Sequence, residues 1–301
     1  MRIRKLVSLF LSLVMLFSLS AAVHTEEDAS LTVTDMKGRT VTLAGPAERI
    51  VVLEPSDCEI LDALGASDRI IGRGAYCALP AIADVPVVQS GYDTNVEEII
   101  ALGPDLVIMN TMNQRTEEIE RLEAAGIPVL SCESTDIEGV YANIRCIGAC
   151  VGKEAEAEAV IAGMQAVFAS VGENKEALAG KTVYFEVSPL AWGLWTAGRG
   201  TFMDEAASLL GLTNIFSDVE GWAEVSEEQV IARDPDYIVT ITMYYGEGPT
   251  PEEEIASRPG WADITAVKNG AILNLTGNEL SHPSPLLAEG VQKLYDFVTE
   301  R

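Results

Sequence analysis

The sequence predicts an α/β protein: two Rossmann-like lobes joined by one long rigid helix. Three observations lead there. A segment recurs, because Val96-Glu97-Glu98-Ile99-Ile100 followed by Pro104-Asp105-Leu106-Val107 returns as Ser226-Glu227-Glu228-Gln229-Val230 followed by Pro235-Asp236-Tyr237-Ile238. Each copy reads as an acid-capped helix, a Pro-Asp turn and an apolar strand. Apolar strand patterns alternate with helical ones on either side of the chain's middle, the rhythm of parallel sheets covered on both faces. Between them, 152–179 is rich in Ala, Glu, Lys and Met at helical spacing and contains no proline. That run suits a helix of up to ~25 residues and ~38 Å, a stiff spine in contrast to a Gly/Ser linker.

Taken in order, the chain begins with Arg2, Arg4 and Lys5 before an apolar run from Leu6 to Leu19 that ends at Ser20-Ala21-Ala22. This is the pattern of a signal peptide over 1–22, and the run is shorter than the ~18 apolar residues of a membrane span. No cysteine stands near the cleavage point, so no lipobox is evident, and the protein is expected in a periplasm or at the extracytoplasmic cell surface. An N-terminal hairpin and α/β lobe are expected over 23–151, the spine over 152–179 and a C-terminal α/β lobe over 180–301. Alternation around Lys37-Gly38 predicts a hairpin across 31–43. Strands are expected over 50–53, 69–72, 87–88, 106–109 and 128–131, with helices over 56–64, 96–102 and 116–125. The second lobe opens with a strand over 181–187 and closes with an amphipathic helix over 284–299.

The formal charge of the 301-residue chain is -26, and losing the leader removes further positive residues. Such a balance argues against nucleic acid or an anionic membrane as the main partner and favours a positive partner surface. Five cysteines, Cys58, Cys77, Cys132, Cys146 and Cys150, leave at least one without an intramolecular disulfide. None lies in a CxxC pair, and Cys146 and Cys150, four apart on a helical stretch, are poorly placed for a disulfide. They read as small buried residues, and no metal site is assigned.

Catalytic motifs are scarce. Gly193-Leu194-Trp195-Thr196-Ala197-Gly198-Arg199-Gly200 lacks the Lys and Ser/Thr of a phosphate-binding loop and reads as a strand-to-helix turn or a ligand-facing loop. Gly72-Arg73-Gly74 lacks the third glycine of a dinucleotide fingerprint. His282 and His24 are the histidines, and no GxSxG or HExxH frame exists. The abundance of carboxylates in so acidic a chain is no argument for glycosidase chemistry. His282 reads as a loop residue beside Pro283 or as a group at a ligand.

Aromatics are sparse. Tyr76, Tyr92, Trp192, Trp195 and Trp222 are all expected in loops, and loops at the carboxyl ends of parallel strands line the crevice of open α/β sheets. Large side chains there suit a bulky, flat or metal-chelated ligand. Glu97 and Glu228 stand at matching places in the repeat. Helix dipoles alone favour an acid there, but a matched pair also suits a two-fold partner carrying arginine pockets.

Several markers in order resemble one family: Arg49-Ile50-Val51-Val52-Leu53 before Pro55-Ser56 and Glu59-Ile60-Leu61, Asn95-Val96-Glu97-Glu98-Ile99, Pro104-Asp105-Leu106-Val107, Val225-Ser226-Glu227-Glu228-Gln229, and Pro283-Ser284-Pro285. They are similar to the solute-binding proteins of ABC importers for ferric siderophores, haem and cobalamin, from Ile50 onward. The resemblance implies a class III periplasmic-binding-protein fold and a non-enzymatic role with no cofactor of its own. Its product would be a monomer that carries a small metal chelate to a transmembrane permease. Glu97 and Glu228 would engage permease arginines. The cleft would be lined by residues matching Tyr76, Trp195 and Trp222, with Tyr92, His282, Arg73 and Arg199 as further candidates.

Aromatics at the positions of Tyr76, Trp195 and Trp222 resemble the cobalamin binders, whereas catecholate binders gather arginines that this chain lacks beyond Arg73 and Arg199. The expected ligand is therefore a corrinoid such as cobalamin or a ferric siderophore of hydroxamate type, with haem third. Position 282 is often arginine in the family and is histidine here, which leaves a neutral contact or a ligand to haem iron. The alternative from another class is an exported enzyme that processes a metal chelate on a related scaffold, for which Cys58 and Cys77 are the candidate metal-site residues.

Overall fold

The structure, a computed structural model, describes residues 30–300; the leader and its cleavage point lie outside them. The chain opens with an antiparallel hairpin, β1 (Leu31–Thr34) and β2 (Thr40–Leu43). Asp35 makes its turn, accepting the Lys37 and Arg39 backbone N–H groups at 2.9 and 2.8 Å, while Gly38 supplies the left-handed φ of 76°.

The first sheet is wholly parallel, in the order β4-β3-β5-β6. Its strands are β3 (Ile50–Val52), β4 (Ile70–Arg73), β5 (Leu106–Met109) and β6 (Val129–Ser131). The helices are α1 (Pro55–Ala63), α2 (Val96–Leu102), α3 (Thr116–Ala124) and α4 (Ile137–Cys150). Successive strand residues serve opposite cores. Val51, Val107, Met109 and Val129 pack with Val96, Ile99, Ile119 and Leu122 of α2 and α3, and Ile50, Val52, Ile108 and Leu130 join the larger core with α1 and α4. This is why the strands read as uninterrupted apolar runs. The strand expected at 87–88 is a single bridge between Val87 and Arg73.

The helix expected over 152–179 is realised as α5 (Glu154–Gly172), 19 residues or about 28 Å, followed by a 3₁₀ turn at Lys175–Leu178. Its buried stripe, Ala157, Ile161, Met164, Phe168 and Val171, follows the i, i+4, i+7 spacing of one helical face. A Cβ on Gly148 would lie 2.7 Å from that of Ala157, so α4 and α5 meet almost backbone to backbone. α5 also packs on helices of the second lobe, and the larger core runs continuously beneath it through both lobes.

The second lobe comprises β7 (Thr182–Glu186), β8 (Leu194–Ala197), α6 (Phe202–Leu210), β9 (Thr213–Asn214), β10 (Trp222–Val225), α7 (Glu227–Arg233), β11 (Tyr237–Thr240), α8 (Pro251–Ser257), α9 (Thr265–Lys268), β12 (Ile272–Asn274) and α10 (Leu287–Thr299). Its parallel strands run β9-β7-β11-β12, the order of the first sheet, and antiparallel β8 and β10 extend it beyond the upper end of β7. The residues read as a Gly-rich turn over 193–200 thus contain a strand. The final helix begins at Leu287 instead of Ser284, because Pro283 and Pro285 break the backbone ahead of it.

The repeat maps onto α2–β5 and α7–β11, and its geometry is matched in detail. Gly103 and Asp234 end the two helices with φ of 62° and 42°. Asp105 accepts the N–H groups of Glu48 and Arg49 at 2.9 Å each. Asp236 accepts the Thr182 N–H at 2.9 Å and the Lys181 ammonium at 3.0 Å. In both lobes the Pro-Asp carboxylate therefore fastens the start of the central strand.

Candidate functional site

Each parallel strand delivers its loop at its carboxyl end, and the exposed large apolar side chains collect in these loops. β4 is followed by Tyr76, 78% exposed, and Tyr92 stands before α2 at 71%. β5 leads to Met112, β7 to Trp192 at 81%, and β11 to Met243, Tyr244 and Tyr245, the last at 85%. Burying such surface is favourable at about 25 cal/mol per Å², so a ligand laid across these loops gains contact area from both lobes.

The lobes are tied together near the same strand ends. Phe202 N–H, at the start of α6, donates to the Thr135 carbonyl beyond β6 at 2.8 Å, and Ile137 N–H donates to the Glu205 carboxylate at 2.7 Å. His282, in the segment between β12 and α10, places its Nδ1 2.8 Å from Oε1 of Glu59 on α1. Beside this contact a cavity of about 400 Å³ is lined by Val187, Trp192, Ile241, Met243, Tyr245, Asn278 and His282 among others. A larger one of about 610 Å³ lies on the flank between α4, α5 and α6, lined by Ile137, Phe168 and Leu209. That flank groove lies beside the Ile137–Glu205 tie and is lined by none of the exposed strand-end aromatics, whereas the smaller cavity is lined by Trp192 and Tyr245 and is the better candidate site.

The floor of the first lobe is acidic. Glu54 ends the β3 segment and accepts Asn113 Nδ2 at 3.0 Å and Gln114 Nε2 at 2.6 Å; burial nonetheless raises its pKa. Asp57 accepts Asn143 Nδ2 at 2.9 Å, and burial pushes it up to about 8. In the second lobe Arg258 makes a bidentate pair with Glu186 at 2.7 and 2.8 Å, reaches Glu254 at 2.6 Å and lies over the Trp261 ring at 4.5 Å. Burial raises the Glu186 pKa against the pull of Arg258.

The candidate residues fall into distinct groups. Tyr76, Tyr92 and Trp192 lie in strand-end loops, as the sequence implies. Trp195 and Trp222 do not lie in loops. Trp195 is within β8, beside the end of β7, where its carbonyl accepts Val187 N–H at 2.9 Å. Trp222 opens β10 and packs edge to face on Phe202 at 5.5 Å.

The guanidinium of Arg73 donates to the carbonyls of Cys77, Val85 and Ala83 at 2.9, 3.2 and 3.2 Å and so braces the loop that carries Tyr76. Arg199 is exposed and 3.7 Å from Glu220, in the turn that meets the first lobe. His282 faces the cavity and holds Glu59. Met112, Met243, Tyr244 and Tyr245 were missed by sequence reasoning, although their places directly after β5 and β11 were available as a signal.

Glu97 and Glu228 each occupy the second position of a capped helix. Asn95 caps α2 and Ser226 caps α7 through their side chains. Glu97 pairs with Arg121 at 2.6 Å in a solvent-exposed bridge. Backbone hydrogen bonding at the helix start, with the Ser226 hydroxyl, holds the Glu228 carboxyl below the usual range.

The enzyme alternative finds no support. Cys58 and Cys77 are buried, and their shared hydrogen bond, with burial, raises the Cys58 pKa well above that of a reactive thiol. Among the described residues no group of three or more His, Cys, Asp or Glu is arranged to hold a metal ion, and no helix is long and apolar enough to cross a membrane.

Two lobes of matched topology, a rigid connecting helix and a crevice at the strand ends define a bilobed solute-binding protein. The chain belongs to the periplasmic binding protein family, whose model matches residues 50–278, with the class III fold. An uncharacterised ABC transporter substrate-binding lipoprotein of Bacillus subtilis is 29% identical over 285 residues, 93% of this chain and 88% of the relative. A cobalamin-binding protein of Halobacterium salinarum is 30% identical over 280 residues, 90% of this chain and 72% of the relative. The crystal structure of an ABC-type Fe3+-hydroxamate transport system from Saccharomonospora viridis superposes with a TM-score of 0.73 at 26% identity, covering 89% of this chain and 98% of that one. The protein is accordingly a substrate-binding protein of the ABC transporter class.

Proposed function

We propose that the protein captures a corrinoid outside the cytoplasm, between its two lobes, and delivers it to a permease through Glu97 and Glu228. One observation carries the choice of ligand: the strand-end loops are rich in aromatic and methionine surface but offer few uncommitted cations. Arg73 serves three carbonyls, Arg115 stacks on Tyr92 at 4.3 Å and pairs with Asp93, and Arg258 is held by Glu186 and Glu254. A ligand bearing several anionic groups, such as a ferric catecholate or the propionates of haem, would meet the Glu54 and Glu59 carboxyl groups, with which no arginine or lysine among the described residues is paired. A corrinoid presents a broad flat ring with amide side chains, which suits aromatic contact and neutral hydrogen bonding. The similarity to a cobalamin-binding protein supports the same choice. The likeness to the Fe3+-hydroxamate transport structure favours a neutral ferric hydroxamate as the second reading.

Tryptophan fluorescence tests this directly, since Trp192 is exposed at the cavity. Saturable quenching by cobalamin or cobinamide, corrected for ligand absorption, and weak or no response to ferric catecholate and haem is the expected result. Tightest binding to a ferric hydroxamate would move the assignment to the second reading, and preference for the catecholate would overturn the charge argument.

A further inference from the structure

Cys58 and Cys77 are fully buried in the larger core, share a hydrogen bond and both hang from the carboxyl end of β3. Cys58 lies in the first turn of α1, its N–H donating to the Glu54 carbonyl at 3.2 Å. Cys77 stands in the loop after β4. Its Sγ is 3.8 Å from the Val52 carbonyl, which also accepts the Gly74 N–H at 2.9 Å. Gly74 passes so near the strand that a Cβ there would stand 2.3 Å from the Leu53 carbonyl. The loop bearing Tyr76 is thus pressed against the strand from which α1 starts, with the two thiols in contact beneath it.

The other cysteines are placed differently. Cys146 turns its Sγ to the Thr34 carbonyl at 3.5 Å and stands one helical turn from Cys150 on α4, where regular helix geometry suits a disulfide poorly. Cys132 is buried just beyond β6.

We propose that Cys58 and Cys77 form a disulfide when the chain folds in an oxidising compartment, and that this bond ties the Tyr76 loop to α1. The inference goes beyond the choice of ligand and holds for whichever molecule the cleft takes. Disulfides form and persist outside the reducing cytosol, and two thiols already joined by a hydrogen bond need only side-chain rotation to reach the bonded separation of about 2.05 Å.

The oxidant is a small disulfide such as glutathione disulfide. One cysteine thiolate attacks a glutathione sulfur and releases one glutathione thiolate, and the second cysteine then displaces the other. Two protons pass from the cysteines to the released thiolates, the two cysteine sulfurs are oxidised, and glutathione disulfide is reduced to two thiols. Burial makes this a step of folding. In the folded chain neither sulfur meets solvent, and burial with the shared hydrogen bond holds the Cys58 thiol above the range of a reactive one. Once made, the bond should resist reductants for as long as the chain stays folded.

A thiol map of the unsubstituted chain tests this, so no variant has to fold. The protein is unfolded, refolded in oxidised and reduced glutathione, and alkylated before digestion. Of its five cysteines, Cys132, Cys146 and Cys150 should be alkylated, and Cys58 and Cys77 should be recovered in one cross-linked peptide. Refolding with dithiothreitol should leave all five open to alkylation. Protein recovered from the periplasm of an expressing host and alkylated at harvest should give the cross-linked map without any refolding.

The oxidised form should unfold at a higher denaturant concentration, because the bond closes a loop of roughly 20 residues in the unfolded chain. Amide exchange across 74–77 should be slower than in the reduced form, with the second lobe unchanged. Alkylation of all five cysteines after oxidative refolding and at harvest would overturn the proposal, as would a cross-link from Cys132 to Cys146 or Cys150. A Cys58–Cys77 link that leaves exchange in the Tyr76 loop unaltered would overturn the tying role.

Discussion

Asp57 shows what the cleft floor asks of a single residue. It is fully buried in the first turn of α1, and burial, reinforced by the Glu54 and Glu59 carboxylates, raises its pKa from 3.8 to about 8 despite the Asn143 hydrogen bond. Between those two values the folded chain keeps a proton that the unfolded chain has released. Stability from this group therefore falls as pH rises through that window and reaches its minimum above the folded pKa. Asp57→Asn should abolish the slope and raise stability at neutral pH. The new amide can donate to Asn143 Oδ1, which, like Asp57 Oδ2, lacks a partner. Denaturant unfolding of both proteins at a series of pH values from about 4 to 8 checks this, and a wild-type minus variant difference that does not change with pH would sink it.

The neighbouring Glu59 shows why such residues are hard to see in a sequence. Its partner His282 is 223 positions away, and no periodic pattern links a helix in one lobe to a turn in the other.

At the level of elements, the recurring Pro-Asp turn turned out to fasten strands. Asp236 joins β11 to the start of β7, and Asp105 joins β5 to the start of β3. Because each carboxylate accepts several donors, Asp236→Ala should cost about 1.5–3 kcal/mol. Asp105→Ala should cost a similar or smaller amount, since its bonds are more exposed. Denaturant midpoints for the two single variants test the equivalence, and Asp236→Asn, which keeps one acceptor, should fall between Asp236→Ala and the wild type.

The repeat was legible because helix caps, a left-handed stop and an apolar strand each leave a local signature. β8 was not legible. Leu194–Ala197 is flanked by Gly193 and Gly198, and glycines at both ends mimic a turn; what makes it a strand is pairing with β10, some 28 residues later in the antiparallel register. The spine ends at Gly172, short of the expected 179. Lys175 is met by Gly211, where a Cβ would lie 2.1 Å from the Lys175 carbonyl, a packing constraint invisible in helix propensity.

Over the whole molecule, the matched lobes place Glu97 and Glu228 at equivalent helix starts, both exposed. A chain of charge -26 approaching a basic partner surface gains long-range steering, but steering does not fix orientation. Two carboxylates held on capped helices in a rigid body can do so, because guanidinium groups read carboxylates by paired hydrogen bonds. The link between lobes is a helix packed against both, over a common core, so the spacing of the two acids is expected to change little with ligand. Docking and capture are then separable.

Glu97→Ala with Glu228→Ala should leave ligand affinity within about twofold, since surface changes of this kind shift energies by only ~0.5 kcal/mol. The same double variant should lose most transport in vesicles carrying the permease, and each single variant should lose part of it. Raising ionic strength should weaken wild-type delivery more than that of the double variant, because exposed charge pairs are screened beyond about 8 Å at physiological salt. Unchanged uptake by the double variant, or a parallel loss of ligand affinity, would remove the docking role; if Glu97 docks as proposed, its exposed pairing with Arg121 would have to open first.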